Sequence, residues 1–406
     1  MATSKLWSVI DLFSGAGGMS YGFHASNRFE LVQAVDAQLG KPSSGAGSLD
    51  CNRTYERNIG IEPHEINLGE IDSKDLFELC GRIEPTVLVA CSPCTGFSRT
   101  LSTNHQSDDP RNSLVVKAGY FVEAFKPSIF LMENARELIR GNHKHHFSAL
   151  REKLIELGYE VSAQNHFLNR FGLPQRRERA IVIAVRRPLV LKTLDDLWSN
   201  LCVKEEATTV RRAIGNMPVV AAGEVHPDDP FHASPGFTAP IKKRLEAIPC
   251  DGGSWADLRK MPNSDELLTP AMKRYIAKGK LGSHPDVYGR MRWDYPAPTL
   301  KRECAHIGNG RYAHPNQDRL CTVREMAILQ GFPSDFTFAG ASLANMYRHV
   351  GDAVPPLISY QLAAVCEWIL TGKEGSVVSA ILPNTHLDTS DIRKQSGQKL
   401  LEFSIS

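Results

Sequence analysis

Several common features are scarce in this 406-residue chain, and each absence excludes a class of protein. The formal net charge is only +2, so we expect no global polyanion-binding surface, and any nucleic-acid surface must be local. No apolar run approaches the roughly 18 residues that span a membrane, and the first residues lack the shape of a signal peptide. Nine cysteines, an odd number at irregular spacings, indicate a reducing, cytosolic-type compartment and no disulfide framework.

A glycine-rich turn follows the first predicted strand. Residues 7–13 read as a strand, and the turn at residues 14–20 leads into a helical pattern. Strand, glycine turn and helix open many nucleotide-binding α/β domains, because glycine lets the backbone approach a ligand and a helix N-terminus offers free N–H groups. The spacing is not G-x-G-x-x-G, which disfavours a dinucleotide. Taken alone, the turn is weak evidence of ligand binding.

Polar residues recur where successive predicted strands end. In open α/β sheets, ligands bind at the carboxyl ends of the strands, and an acid after the second strand is placed to hold ribose hydroxyls. The shared position therefore predicts one site at one edge of the sheet. The predicted strands and the polar residues at their ends are 7–13 (Asp11 and the glycine turn), 29–36 (Asp36), 66–68 (Asn67), 85–90 (Cys94) and 127–132 (Glu133).

Cys94 lies in a loop between Pro93, which fixes φ, and Gly96, which allows a sharp turn. The polar stretch from Thr100 to Asn112 follows it and is suited to closing over a bound substrate. This segment alone does not separate a nucleophilic cysteine from a buried structural one.

Two further clusters have a functional and an ordinary interpretation. His143, His145 and His146 suggest a metal, but matching cysteine or acid spacing is missing, so a solvated helix start is favoured and no metal is predicted. Between Arg170 and Arg187 there are six arginines and one acid. That segment is either a cationic surface suited to phosphate or a solvated basic turn.

The alternation of strands and helices fails from about Pro188 to Pro298, where we predict a second, smaller domain with irregular loops. Arginines and aromatic residues interleave at residues 288–295, as they often do on nucleic-acid surfaces. Further on, Thr322 and Glu325 predict a capping box for a helix over 322–330, and an apolar helix is predicted over 357–370. The polar tail after residue 372 is expected to be partly disordered.

Six motifs in a fixed order resemble the DNA (cytosine-5)-methyltransferase family, in its prokaryotic restriction-modification form. Family members carry a DLFxGxGG turn, a PCxxFS loop, an ENV segment, a QxRxR segment, an RxxTxRExxxLQ helix and a closing GNxVP. The match covers roughly residues 6–187 and 296–370. The motifs stand here as Asp11–Gly18, Pro93–Ser98, Glu133–Ala135, Gln175–Arg179, Arg319–Gln330 and Gly351–Pro355.

The resemblance implies an α/β fold: a Rossmann-like S-adenosylmethionine-dependent methyltransferase domain with a smaller, loop-rich target-recognition domain. The implied parts are the catalytic domain (1–187 and 299–372), the target-recognition domain (188–298) and the polar tail (373–406). The implied activity is methyl transfer from S-adenosyl-L-methionine to C5 of a cytosine flipped out of a specific double-stranded DNA sequence, through an adduct between Cys94 and C6. A monomer in a prokaryotic cytoplasm, associated with the nucleoid and accompanied by a cognate restriction endonuclease, is also implied.

The resemblance assigns roles to individual residues and requires no metal. Cys94 is the implied nucleophile, and Glu133 shares a proton with cytosine N3. Arg179 holds the cytosine O2, with Arg177 as its supporting neighbour. The implied cofactor-binding residues are Phe13, Ser14, Gly15, Ala16, Gly17, Gly18, Asp36, Ala37, Asn67, Leu68, Pro93, Asp352 and Val354, and the implied DNA-contacting residues are Ser98, Arg99, Gln175, Arg290 and Arg292.

This chain departs from the family pattern at three positions: Ala135 replaces Val, Asp352 replaces Asn, and Asn67 replaces the usual Asp. We expect these changes to tune cofactor affinity without abolishing activity, because an amide oxygen still accepts a hydrogen bond. Three alternatives remain: a tRNA cytosine methyltransferase on the same scaffold, a catalytically silent binding protein, and a thiol redox protein built on Cys91-x-x-Cys94. The redox alternative lacks the helix that should follow its motif.

Overall fold

The structure is a computed structural model and describes residues 6–41, 46–93, 97, 108–279 and 286–395. The following two lists give the strands and helices of this part of the chain. The strands are β1 (Trp7–Leu12), β2 (Phe29–Val35), β3 (Leu39–Lys41), β4 (Ala46–Ser48), β5 (Val87–Ala90), β6 (Ile129–Ala135), β7 (Tyr159–Phe167), β8 (Gln175–Arg176), β9 (Glu178–Arg186), β10 (Leu201–Val203), β11 (Val225–His226), β12 (Asp229–Ala233), β13 (Ala297–Pro298) and β14 (Ile392–Lys394). The helices are α1 (Gly18–Ala25), α2 (Cys51–Ile59), α3 (Ser73–Leu79), α4 (Ser113–Phe125), α5 (Glu137–Arg140), α6 (His145–Glu156), α7 (Leu194–Leu197), α8 (Val210–Ile214), α9 (Ala239–Glu246), α10 (Trp255–Leu258), α11 (Ser264–Leu267), α12 (Pro270–Ala277), α13 (Val323–Leu329), α14 (Leu343–Asp352) and α15 (Pro356–Thr371).

A six-stranded sheet in the order β2-β1-β5-β6-β9-β7 organises the larger part of the molecule. The strands β2, β1, β5 and β6 run parallel to one another. The strand β9 runs antiparallel to both β6 and β7. Every residue of β5 and β6 is buried. Strands buried on both faces are near-continuous apolar runs, which is why this part of the sequence is readily recognised.

Helices cover both faces of this sheet. On one face, apolar residues of α1, α2 and α15 pack against alternate residues of the strands, such as Val9, Val89 and Leu131. On the other face, α3, α4 and α6 pack against the intervening residues, such as Ile10 and Met132. The α/β expectation is confirmed, and α15 completes one face although it lies far along the chain.

A second hydrophobic cluster is built from residues 210–353, including buried residues of α8, α9, α13 and α14. The segment before it packs elsewhere: Leu194, Leu197 and Trp198 belong to the core of the large sheet. By packing, the smaller body therefore begins after β10 and includes residues 299–353. We keep the proposed domain division, with this shift in its boundaries.

Three local expectations were wrong. Residues 66–68 form no strand, because Val35 pairs through an isolated bridge with His64. The loop predicted after residue 41 contains β4, which pairs with β3. The cap of α3 is Asp72, whose carboxylate accepts the Lys74 N–H, and not Ser73. The part of the tail that the structure describes, residues 373–395, contains β14, which pairs with β10.

The predicted capping box of α13 is confirmed. Thr322 Oγ1 accepts the Glu325 N–H at 3.1 Å, and Glu325 Oε2 accepts the Thr322 N–H at 2.7 Å. Arg319 donates two hydrogen bonds of 2.7 and 2.8 Å to the same carboxylate. Burial would raise the pKa of Glu325, but Arg319 and the N–H donors hold it below its ordinary value.

One helical stretch, Leu343–Thr371, is long and apolar enough to cross a membrane by length and composition, contrary to the expectation that no segment approaches that length. It comprises α14 and α15, with a break at residues 353–355. Of its most apolar window, 72% is buried inside the protein, as in the core helix of a globular domain.

We predict that Gly22→Ala destabilises the fold by about 1–3 kcal/mol or more, because added methyl groups force shifts in a packed core. A Cβ at residue 22 would lie 2.0 Å from Ser359 Oγ and 2.2 Å from Tyr360 N, where α1 crosses α15. Urea unfolding measures the change. Gly308→Ala is the matched control, because its Cβ would meet nothing within 4 Å; equal stability of the two variants would contradict the prediction.

Candidate active site

The glycine turn bends the chain sharply between β1 and α1. Phe13, Gly15 and Gly17 all have positive φ, at 64°, 52° and 90°. Gly18 starts α1 pressed against the returning chain, since a Cβ there would lie 2.4 Å from the carbonyl oxygen of Val354. The turn therefore brings the first strand, the first helix and the closing motif of the chain to one place.

Asp36, at the end of β2, is tied to this turn. Its Oδ2 accepts the Gly15 N–H at 2.9 Å, and its Oδ1 accepts the Gln38 N–H at 2.7 Å. Burial raises the pKa of Asp36, opposed by these donors, by the Cys51 thiol and by Arg302. The carboxylate thus shapes the turn while its remaining lone pairs stay available to ribose hydroxyls.

The residues at the turn fit a polar ligand. Ser14 Oγ and Asp11 Oδ1 are buried, and neither has a hydrogen-bond partner within the described segments. A Cβ on Gly15 would meet nothing within 4 Å, so there is space beside the turn. No side chain in this part of the structure caps the start of α1, so its first N–H groups can bind an anion.

A buried chain of hydrogen bonds stands behind the turn. Ser20 Oγ donates to Asp11 Oδ2 at 2.6 Å and lies 2.7 Å from the Tyr55 hydroxyl. Desolvation by burial raises the pKa of Asp11 to about 7, opposed by Ser20 and assisted by the negative charge of Asp36. The roles of Ser20 and Tyr55 were not predicted, because their hydrogen-bond partners lie on different elements.

Glu133 and Arg179 meet on one face of the sheet. In the antiparallel pairing of β6 with β9, Glu133 lies opposite Ile181 and Ala135 opposite Arg179, so the two side chains are diagonal neighbours. Arg179 Nε lies 2.8 Å from Glu133 Oε1, and both side chains are largely buried. Glu133 Oε1 has no aligned hydrogen bond among the described residues, so it is available to a substrate.

The predicted nucleophile Cys94 lies outside the described residues, as do Ser98 and Arg99. Its neighbour Pro93 is half-buried just past the end of β5. The Cys91 sulfur accepts the backbone N–H of Glu133 at 3.3 Å. Desolvation, with the negative charges of Glu133 and Asp11, raises the pKa of Cys91 well above its usual range, which disfavours the reactive thiolate that redox chemistry requires.

Arg177 and Gln175 are buried connectors between distant segments. Arg177 donates to the carbonyl oxygens of Leu300 at 2.9 Å and Ala353 at 3.4 Å. Gln175 donates to Gln330 Oε1 at 2.6 Å and accepts the Leu300 N–H at 3.0 Å. The expectation that Gln175 contacts DNA is contradicted, because its amide is fully buried and already hydrogen-bonded.

Two further predicted cofactor residues are held by local structure. Asn67 Oδ1 accepts the Gly69 N–H at 3.0 Å, and its Nδ2 donates to Glu70. Leu68 is buried in the core that faces α3 and α4. Ala37 follows Asp36 and is half-buried. Whether these residues bind an adenine stays a prediction.

Asp352 pairs with a cation that the motif analysis missed. Arg302 Nη1 donates to Asp352 Oδ2 at 2.6 Å, while its Nη2 donates to the carbonyl oxygens of Leu39 and Gly40. Desolvation raises the pKa of Asp352 to about 6, against the opposing charges of Arg302 and Arg177. The charge that Asp352 adds beside the turn is therefore balanced locally.

Arg290 is a structural residue of the smaller body, so its assignment to DNA contact was wrong. It is 1% exposed and donates to the carbonyl oxygens of four residues and to the carboxylate of Asp318. Arg292, two residues on, is exposed and stacks over the Tyr295 ring at 5.4 Å. It remains a candidate for DNA contact. The four carbonyl acceptors of Arg290 belong to Leu245, Ile248, His314 and Gln317.

The chain has the α/β fold of known methyltransferase structures. It is similar to a solved structure described as a DNA modification methyltransferase encoded within an E. coli prophage, with a TM-score of 0.63 and 17% identity over 90% of this chain and 99% of that one. The S. pombe Dnmt2 methyltransferase gives a TM-score of 0.55 at 18% identity, over 89% of this chain and 99% of that one.

Sequence comparison narrows the class to one family. The family model described as C-5 cytosine-specific DNA methylase matches residues 7–368, so the chain belongs to this family. It is 30% identical to the type II methylase M.HgiDII of Herpetosiphon aurantiacus, over 90% of this chain and 96% of the relative. It is 28% identical to a type II methyltransferase of Bacillus subtilis, over 89% and 80%. The protein is a DNA (cytosine-5)-methyltransferase.

We predict that Arg290→Met lowers the free energy of unfolding by about 3–5 kcal/mol, because it leaves Asp318 and several buried carbonyl oxygens without their donor. Arg292→Ala is the matched control and should change stability by no more than about 0.5 kcal/mol, as is usual for an exposed side chain. Urea unfolding of both variants decides the point. An Arg290→Met protein as stable as the wild type would contradict the structural role of Arg290.

A pH prediction follows from Asp11. Its pKa is raised from 3.8 to about 7 in the folded state, so between these two pH values the folded protein holds a proton that the unfolded chain has released. Stability from this group therefore falls as pH rises through that window, by about 1.4 kcal/mol per pH unit. Urea unfolding is measured at several pH values between about 4.5 and 7, and Asp11→Asn should remove this slope. Asp75→Asn, an exposed control, should keep it, and an unchanged slope in Asp11→Asn would refute the assignment.

Proposed function

We propose that this enzyme methylates cytosine C5 in a specific duplex DNA sequence by covalent catalysis, with Cys94, Glu133 and Arg179 as its reacting groups. The pairing of Glu133 with Arg179 at 2.8 Å carries the proposal. A carboxyl group and a guanidinium side by side match N3 and O2 of cytosine, which are adjacent on the same edge of the ring. The strands β1, β5 and β6 are parallel, so the DLF turn, Pro93 after β5 and Glu133 near the end of β6 lie toward the same edge of the sheet.

S-adenosyl-L-methionine is the proposed donor, and it supplies an electrophilic methyl group. The N–H groups at the start of α1 and Ser14 Oγ, which have no side-chain partner in the part of the chain that the structure describes, would hold its charged amino-acid part. Asp36 would accept hydrogen bonds from the ribose, and Asn67 would face the adenine. Val354 would line the pocket beside the turn, where it already contacts Gly18. The other residues assigned to this pocket are Phe13, Gly15, Ala16, Gly17, Ala37, Leu68, Pro93 and Asp352.

Cytosine C5 is a weak nucleophile, and the proposed chemistry activates it. The Cys94 thiolate adds to C6, forming an S–C6 bond and pushing an electron pair into the ring. Glu133 shares a proton with N3, where the negative charge develops, and Arg179 donates to O2. C5 then takes the methyl group, a base removes the C5 proton, and the electron pair of that C–H bond expels Cys94 from C6.

The Glu133–Arg179 ion pair prepares the pocket before substrate arrives. Each side chain is held by the other, so neither charge is buried alone. Arg179 also donates to the Glu178 carbonyl oxygen at 2.8 Å, which fixes the guanidinium. Arg177 would act through position only: it holds the chain at Leu300 and Ala353 and thereby the closing motif.

A cytosine within a duplex cannot reach such a pocket, so the base must leave the stack. We propose that Ser98 and Arg99 contact the DNA near the flipped base. On the smaller body, exposed Arg292 and Tyr295 are the proposed contacts to flanking DNA. Both lie beside Trp293, over which Arg211 stacks at 5.4 Å.

The biological setting is proposed from the relatives, which are named as type II methylases and methyltransferases. We propose that this chain is the modification enzyme of a restriction-modification pair, whose endonuclease cuts the same sequence when it is unmethylated. It would act as a monomer on DNA in the cytoplasm, associated with the nucleoid.

The mechanism predicts different losses for two variants. Cys94→Ser should lower methyl transfer to duplex DNA at least about a thousandfold, because the nucleophile is lost. Glu133→Gln should lower it about 100–10,000-fold, the usual contribution of a general acid or base. Transfer of a radiolabelled methyl group measures both, with the exposed Cys250→Ser as control. Full activity of Cys94→Ser would refute the covalent mechanism.

Two companion measurements separate the remaining alternatives. DNA carrying 5-fluorocytosine at the target should trap a denaturation-resistant complex, since no C5 proton can be removed, and Cys94→Ser should form none. Duplex DNA and tRNA assayed side by side should show transfer to DNA. Transfer confined to tRNA would favour the other substrate class.

A further inference from the structure

Three of the four polar side chains in one surface cluster are histidines. His146 Nε2 lies 2.7 Å from Asp108 Oδ2, and His145 Nε2 lies 3.2 Å from the same oxygen. One donor atom from each of these three residues lies within 4.8 Å of the other two. His143 Nδ1 lies 3.7 Å from the second oxygen, Asp108 Oδ1. The sequence interpretation missed the cluster because Asp108 is far from the histidines along the chain.

The carboxylate is oriented by its own surroundings. Asn112 is fully buried and donates to Asp108 Oδ1 at 2.7 Å, which leaves Oδ2 facing the histidines. The adjacent Asp109 caps the short 3₁₀ helix Pro110–Asn112 and pairs with Arg111 at 2.6 Å. The base of α4 therefore holds Asp108 in place.

The two imidazoles are also held. His145 and His146 begin α6, and their rings stack with centroids 4.1 Å apart. His146 is largely buried and packs edge-on against the buried ring of Phe97 at 6.2 Å. His145 is 62% exposed, so the cluster is open to solvent on one side. An ion could enter from that side.

We propose that Asp108, His145 and His146 bind one divalent transition-metal ion of the Zn²⁺ type. Two imidazole nitrogens and one carboxylate oxygen are ligands that such ions prefer, whereas Mg²⁺ and Ca²⁺ prefer oxygen throughout. A tetrahedral zinc ion with bonds of about 2 Å holds its ligand atoms about 3.3 Å apart. The distances of 2.7 and 3.2 Å from Asp108 Oδ2 both lie below this value, so the His146 ring would move slightly away from the carboxylate to admit the ion.

Water would complete the coordination of the ion. The ion would join the base of α4 to the start of α6, two helices that also pack together and share the Lys153–Glu123 ion pair at 2.9 Å. Its ligands are distinct from Glu133 and Arg179. The proposed ion has no part in methyl transfer and acts as a local cross-link.

Binding of Zn²⁺ and Co²⁺ to the full-length chain without a histidine tag tests the site. Titration calorimetry should give one Zn²⁺ per chain, and bound Co²⁺ should show the visible absorption of a four-coordinate ion. Asp108→Asn and His146→Ala should each weaken binding at least about tenfold, in line with the 10–100-fold that even outer-shell changes cost. His306→Ala, an exposed histidine elsewhere, should bind as the wild type does.

His145→Gln is the third variant, at an exposed position where the substitution leaves the core intact. It should fold as the wild type does by unfolding temperature without metal, yet lose the Zn²⁺-induced rise in that temperature. Absence of stoichiometric binding by the wild type, or unchanged binding by all three variants, would overturn the proposal.

Discussion

The close contact between α1 and α15 holds the two ends of the catalytic domain together. Gly22 lets the two helices cross with almost no space between their backbones, and Ser359 Oγ donates to the Met19 carbonyl oxygen at 2.7 Å. One turn earlier, Gly18 presses against Val354. The end of the catalytic domain is thereby fixed against its beginning, and the glycine turn, Asp36 and the closing motif share one site.

Two acids of this site face a cation, and a third does not. Glu133 is buried against Arg179 and Asp352 faces Arg302, whereas the buried Asp11 keeps one oxygen without a hydrogen bond among the described residues. The exchange of Asn for Asp at position 352 is understandable in these terms, because Arg302 neutralises the new charge and also binds the β3 backbone. The pair joins two segments that both border the proposed cofactor pocket.

The sheet and its site edge could be predicted because strand ends, glycine turns and apolar runs are local in sequence. The buried positions of Arg290 and Gln175 could not be predicted, because the groups that bind these side chains are brought to them only by folding. The acceptors of Arg290 come from residues 245–248 and 314–318, on either side of it in the chain. The strand predicted at 66–68 was wrong for a similar reason, because Val35 at the edge of the sheet pairs with His64 instead.

The position of α15 far along the chain also has a consequence for synthesis. The six strands of the sheet are complete at Arg186, but the helix that covers part of one face starts only at Pro356. At translation rates of about 5–20 residues per second, the ribosome needs about 10–35 s for the intervening segment. During that interval the apolar face left for α15 is exposed on the nascent chain, which makes it a natural binding surface for a chaperone.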